Sequence, residues 1–85
     1  MRIYMQQLPT EAGRAPRFLH LLIQEDLLDG WNLVKESGQQ GASGRLTRTH
    51  YDDMASATEA LLLERDKQLK RGYRVVFVEG QGNAS

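Results

Sequence analysis

Three basic side chains flank a glycine-rich stretch in the middle of the chain and could contact a phosphate group. Lys35 precedes the stretch 37–44, in which glycine recurs at every third position, and Arg45 and Arg48 follow it. Mobile cations and backbone amides that share one surface are the usual contacts of nucleic-acid phosphates. The stretch lacks the Gly-Lys-Ser/Thr ending of a nucleotide-binding loop, and it does not open a helix. We therefore expect a hairpin loop with basic flanks rather than a nucleotide site.

The chain shows no residue pattern typical of a catalytic or metal centre. His20 and His50 are its two histidines, they lie far apart in the sequence, and there is no cysteine. A transition-metal site needs several such ligands at close spacing. The acids within 25–29 and at 52–53 fall in predicted turns, where carboxylates usually cap the backbone or face solvent. The sequence therefore predicts a protein that is not an enzyme and that holds no cofactor and no metal.

Length and composition predict one small domain, and the zero net charge leaves room for no more than a local nucleic-acid-binding patch. The chain has 85 residues, and its 11 Lys plus Arg are balanced by 11 Asp plus Glu. A dedicated nucleic-acid binder usually carries a basic excess, so only a patch could serve here. The N-terminus lacks the features of a signal peptide, and no apolar run could span a membrane, which predicts a cytoplasmic protein without a membrane partner. Residues 1–80 are expected to form the domain, and 81–85 a disordered tail.

Period-two alternation and turn residues predict five strands and one helix. The strands are expected at 2–8, 17–24, 31–36, 45–51 and 73–79, and the helix at about 56–71. Ser56 and Glu59 form a capping-box pattern at the helix start, and Gly72 is a typical stop signal. The expected apolar stripe of the helix is Ala60, Leu61, Leu62, Leu63 and Leu69, in which Leu62 and Leu69 lie seven residues apart on one face. These elements predict an α+β fold, an antiparallel sheet of about five strands with one helix packed across a face.

The stretch 30–41 resembles the signature of WGR domains, which are small modules of poly(ADP-ribose) polymerases and of short bacterial proteins. It reads Gly-Trp-Asn-Leu-Val-Lys-Glu-Ser-Gly-Gln-Gln-Gly, and the family's Trp-Gly-Arg falls on Ser37-Gly38-Gln39, where the glycine is kept. Gly44-Arg45, the helix and the run Lys70-Arg71-Gly72-Tyr73 also resemble the family, whose helix commonly ends in a basic run and Gly-Tyr. The resemblance covers roughly residues 17–74. It implies the same α+β fold. Trp31 alternates with Leu33 and is therefore expected to pack in or near the core.

The resemblance implies a nucleic-acid-binding accessory module with DNA or RNA as its partner. In the family, the signature Trp and Arg lie beside bound DNA ends or neighbouring domains. The site implied by the resemblance and by the flanking cations is Lys35, Ser37, Gly38, Gln39, Arg45 and Arg48. The alternative is a protein–protein interaction module, or a homodimer, that acts through sheet edges or the N-terminal strand. Salt-sensitive binding of nucleic acid is expected for the first, and salt-insensitive self-association for the second.

Overall fold

Five strands form one sheet in the order β4-β3-β2-β1-β5, and every neighbouring pair runs antiparallel. A single helix packs across one face of this sheet. The elements are β1 Arg2–Gln7, β2 Arg17–Glu25, β3 Trp31–Gln39, β4 Arg45–Tyr51, α1 Met54–Lys70 and β5 Arg74–Glu79. The predicted α+β fold is confirmed, and β2 lies at the centre of the sheet, as its two apolar faces indicate.

The computed structural model describes residues 1–9 and 13–80 of the chain. The tail predicted at 81–85 lies outside the described residues, as do 10–12. Four of the five strands begin and end within one residue of their predicted bounds. The differences that matter for function are therefore confined to β3 and α1.

β3 runs three residues further than the alternation predicts, so that 37–39 form a strand with the start of β2 rather than a loop. The Phe18 ring packs over Gly38 and Gly44. A Cβ atom at Gly38 would lie 3.0 Å from the Gly44 Cα and 3.4 Å from the Phe18 ring, so glycine permits a close approach here. In this stretch only Gly41 has a positive φ, of 87°. The reversal between β3 and β4 is therefore shorter than the sequence predicts.

The core lies between α1 and the helix-facing side of the sheet. Its largest fully buried side chains are Ile3, Met5, Leu19, Leu21 and Leu61. The first four occupy alternate positions of β1 and β2, because successive strand residues face opposite sides of a sheet. The single tryptophan is half-buried against this cluster, in the region expected for it.

The opposite side of the sheet, called the open face below, has no helix across it. Tyr4 and Phe18 lie on this face with nearly parallel rings whose centroids are 6.2 Å apart, and the His20 ring lies 6.0 Å from Tyr4. Burial lowers the pKa of His20, the Arg2 charge lowers it further, and Glu36 opposes the shift. His20 is therefore a neutral member of this aromatic group at pH 7.

The helix begins at Met54, two residues before the predicted start, and the capping box predicted at Ser56 is wrong. Asp53 is the N-cap, because its Oδ1 accepts a hydrogen bond of 2.7 Å from the backbone N–H of Ser56. That hydrogen bond lowers the pKa of the Asp53 carboxyl. Asp and Ser are similarly good N-caps, so the sequence offers two starts for this helix and composition does not choose between them.

The buried side of α1 is narrower than the predicted stripe. Ala57, Leu61 and Gln68 are buried and Leu62 is half-buried against the core, whereas Leu63 and Leu69 are exposed. Leu62 is rotated by roughly 100° from its neighbour Leu61, since a helix has 3.6 residues per turn. A run of four consecutive apolar residues in this helix allows two neighbouring stripes to be chosen from the sequence, and the sheet selects the one that contains Leu61.

Leu61→Ala is expected to lower the free energy of unfolding by roughly 2–5 kcal/mol, because it leaves a cavity at a fully buried position. Leu63→Ala removes the same atoms from a side chain that is 64% exposed. Its effect is expected to stay within about 0.5 kcal/mol. Urea denaturation of the three proteins measures both changes. Equal losses for the two variants would show that the helix face is assigned wrongly.

Candidate nucleic-acid interface

Charge is separated along the strands, although the net charge of the chain is zero. β1 and β3 end where β2, β4 and β5 begin, so that Arg17 lies opposite Gln39 and Arg74 lies opposite Gln6. With the last turn of α1, this basic end carries Arg17, Arg45, Lys67, Lys70, Arg71 and Arg74. The opposite, acidic end carries Glu25, Asp26, Asp29, Asp52 and Asp53. The basic end therefore provides a local positive field that could attract an anion.

A polar cleft with a volume of about 150 Å³ lies at the basic end, between the end of α1 and the sheet. Its walls come from three strands, from α1 and from the α1–β5 connection. The lining residues are Gln7, Arg17, Leu19, Lys35, Ser37, Gln68, Arg71 and Tyr73. Every one of these side chains except Leu19 can donate a hydrogen bond. The cleft thus suits a ligand whose groups are acceptors, such as a phosphate.

The α1–β5 connection fixes one wall of the polar cleft. Gly72 ends the helix with a φ of 96°, and the Tyr73 N–H bonds back to the helix at 3.0 Å. This turn buries Tyr73, whose hydroxyl accepts a hydrogen bond of 3.4 Å from Arg17 Nε. Gln7 Nε2 donates to the carbonyl oxygen of Arg71 at 2.6 Å and satisfies one acceptor at the helix end. Side-chain contacts therefore orient Arg17 and hold the backbone of Arg71 at the cleft.

Lys35 is already paired with a carboxylate. Its Nζ lies 2.9 Å from Glu64 Oε2, which also accepts a hydrogen bond of 2.7 Å from Gln68 Nε2. Burial opposes ionisation of Glu64, but these two hydrogen bonds and the nearby lysine charges outweigh it and lower the pKa of the carboxyl. Glu64 therefore offsets the charge of Lys35 at neutral pH. Arg17 and Arg71 have no carboxylate partner among the described residues.

Four of the six predicted site residues lie on the helix-facing side of the basic end. Lys35 and Ser37 line the polar cleft itself. Gln39 lines a neighbouring pocket of about 300 Å³ that shares Arg17 with the cleft. Arg45 lies opposite Ser37 on β4 and is exposed. Ser37 and Gln39 therefore lie on a strand rather than on the predicted loop.

The other two predicted site residues lie on the open face and do not reach the polar cleft. Gly38 packs under the Phe18 ring, so its role is to admit that ring rather than to offer a free amide surface. Arg48 lies opposite Val34 on β4, three residues beyond Arg45 and on the other side of the sheet. The structure thus divides the predicted set between two surfaces.

Gln7, Arg17 and Gln68 line the cleft but were not predicted from the sequence as site residues. Nothing in their local sequence marks them, because they meet only through the register of β1, β2 and β3 and the packing of α1. Arg71 and Tyr73 do carry a signal. They belong to the basic run and Gly-Tyr that resemble the helix end of WGR domains.

Hydrogen bonds within the acidic end organise its turn between β2 and β3. Asp26 accepts from the Leu28 N–H at 2.9 Å and from Asn32 Nδ2 at 3.0 Å. These bonds, the one from Leu28 foremost, lower the pKa of the Asp26 carboxyl. His50 Nε2 donates to the carbonyl oxygen of Asp29 at 2.8 Å. Asp26 and His50 at this end therefore have structural partners.

Two kinds of site are absent from residues 1–9 and 13–80. No three His, Asp or Glu side chains there are grouped so that they could hold a metal ion. No helix in this part of the chain is both long enough and apolar enough to cross a membrane.

Comparison with known proteins gives no match for this chain, whether to a family model, to a curated protein or to a solved structure. The resemblance to WGR domains stays a prediction that rests on the residues quoted for it.

Glu64→Gln tests the partly buried ion pair between Lys35 and Glu64 through the pH dependence of stability. Because the pKa of Glu64 is lower in the folded chain, the unfolded chain takes up this proton first as the pH falls. The stabilising contribution is therefore present above the ordinary value of 4.5 and is lost as the pH falls through the lowered pKa. We expect wild type to be more stable than E64Q at pH 7, with a difference that shrinks in acid.

Urea unfolding of both proteins across the acidic range measures this difference. Asp26 and Asp53 also have lowered pKa values, but they titrate in both chains and their effect cancels in the comparison. A stability difference that does not change with pH would contradict the ion pair.

Proposed function

We propose that this protein is a small, non-enzymatic, cytoplasmic WGR-like module that binds nucleic acid, DNA or RNA. The proposed contacts are hydrogen bonds and ion pairs between phosphate groups and side chains of the basic end. One observation carries the proposal. Arg17 and Arg71, which come from distant parts of the sequence, converge on a cleft whose polar side chains can all donate hydrogen bonds. Neither arginine is neutralised by a carboxylate within the described residues.

The donor set of the polar cleft fits a phosphate better than it fits a base. A phosphate presents acceptor oxygens only, and a guanidinium can donate two parallel hydrogen bonds to them. Ser37 and Tyr73 add hydroxyl donors beside Arg17 and Arg71. Contacts to phosphate carry no sequence information, so binding through this cleft is expected to be independent of sequence.

Ser37 and Gln39 stand where WGR domains have Trp and Arg, so this chain must bind differently from the family pattern. A serine offers no surface on which a base can stack, and a glutamine offers no charge. Arg17, Arg45 and Arg71 supply positive charge from three neighbouring elements instead. The proposed module therefore relies on phosphate contacts, which release counterions and give weak binding with a steep dependence on salt.

Fluorescence anisotropy with labelled single- and double-stranded DNA and RNA, at low and physiological salt, tests the proposal. Wild type is expected to bind at low salt and to weaken steeply as salt rises. Arg17→Gln and Arg71→Gln should each weaken binding and lower the salt slope by about one contact. Glu64→Gln frees the charge of Lys35 in the cleft and should strengthen binding.

Arg48→Gln is the matched control, because it removes the same charge from an exposed position on the open face. It is expected to leave the affinity nearly unchanged. An equal loss in R48Q and R17Q would show that total charge, and not the cleft, governs binding. If neither wild type nor E64Q binds any of the four probes at low salt, the proposal fails and the protein-interaction alternative becomes the better explanation.

A further inference from the structure

We propose that two copies of this chain associate through their β5 strands, which pair antiparallel about a two-fold axis and join two five-stranded sheets into one continuous sheet. The proposed partner is a second copy of this chain, and the proposed contact is the outer edge of β5. The polar cleft is lined by β1, β2, β3, α1 and the α1–β5 connection, whereas the proposed contact between copies is the outer edge of β5.

β5 is an edge strand with an unusually apolar exposed surface. It borders β1 on one side, and no strand among the described residues borders its other side. Val75, Val76, Phe77 and Val78 are consecutive and between 40% and 57% exposed. An edge strand of this kind offers unpaired backbone donors and acceptors together with apolar side chains, and it is a site at which another strand adds.

The other edge of the sheet does not have this character. β4 reads Arg-Leu-Thr-Arg-Thr-His-Tyr, and its exposed positions are mostly polar or charged. Charged side chains on an edge discourage the addition of a further strand. Only one of the two edges is therefore suited to association, which favours a closed pair of chains over an open ladder.

The ends of β5 carry opposite charges that complement each other in an antiparallel pair. Arg74 begins the strand and Glu79 ends it. Antiparallel pairing of two identical strands brings each Arg74 end beside the Glu79 end of the other copy, and a two-fold axis forms this contact twice. Parallel pairing would bring like charges together. The Arg74 side chain has no hydrogen bond or ion pair to another described residue, so its charge is available for this contact.

A bulge places these two charges on the same face. Residues five apart in a regular strand lie on opposite faces, because side chains alternate. Here the register with β1 shifts between Tyr4 and Met5, and Val76 becomes the extra residue. Arg74 consequently lies opposite Gln6, and Glu79 lies opposite Arg2, both on the open face. The bulge therefore places Arg74 and Glu79 on the same face, so that both charges of one copy lie on the face where those of an antiparallel partner would lie.

Charge-swap mixing tests this assembly by sedimentation and native mass spectrometry. Wild type is expected to have twice the 9.6 kDa chain mass at concentrations at which Arg74→Glu alone and Glu79→Arg alone are monomers. In a dimer of either variant with itself, positions 74 and 79 would carry the same charge, so like charges would meet at both ends of the paired strands. An equimolar mixture of the two variants should form a mixed dimer, because each altered residue then meets its opposite. Glu79→Arg also removes the 3.3 Å contact to Arg2, but this loss is the same before and after mixing.

Val76→Lys and Arg48→Glu complete the test. V76K puts a charge in the middle of β5 and should be monomeric, with its fold checked by circular dichroism. R48E changes charge as Arg74→Glu does, but on the opposite edge strand, and should remain a dimer. A monomeric wild type, a wild type larger than a dimer, an R48E that dissociates, or variants that do not pair on mixing would each overturn the proposal. The mixing result decides the question if V76K does not fold.

Discussion

The pairing of β2 with β1 on one side and β3 on the other determines where every other part of the molecule lies. It buries Leu19 and Leu21 under α1 and places Arg17 between Gln7 and Gln39. A slip of one residue in a strand register moves every side chain of the strand to the other face. Such a slip would expose the core leucines and remove Arg17 from the polar cleft together. The same apolar constraint that stabilises the sheet therefore also positions the candidate site.

The antiparallel topology turns a chain with zero net charge into a polar molecule. The starts of β2, β4 and β5 and the end of α1 lie at one end of the sheet, where their cations collect. Acids from the turns collect at the other end, where Arg2 at the start of β1 lies beside Glu79. Within the basic end, Glu64 offsets the positive charge of Lys35. Arg17 donates a hydrogen bond to the Tyr73 hydroxyl instead, and no carboxylate among the described residues offsets its charge. The positions of the carboxylates therefore decide which cations can serve a ligand.

The sequence predicts the strands well because alternation and turn residues are local signals, as in β4, whose bounds agree with the prediction. The sequence does not predict the extension of β3. Glycine usually weakens a strand, but Gly38 lies in β3 because it admits the Phe18 ring, which comes from a distant part of the sequence. The N-cap is missed because Asp53 and Ser56 are both good caps. The lining of the cleft is predicted only in part, because some of its residues meet through strand pairing and not through a local sequence pattern. Ser37 lies in the stretch that the family resemblance marks, whereas Arg17 joins it through a register that no local pattern reveals.

Backbone amide NMR during titration with a short oligonucleotide tests most directly whether nucleic-acid phosphates bind at the basic end. The amide shifts of Arg17, 37–39 and 71–73 are expected to move with increasing ligand. The amides of 26–30, in the turn at the acidic end, are expected not to move. Shifts confined to the acidic end or to the open face around Tyr4, with 71–73 unaffected, would contradict binding at the basic end.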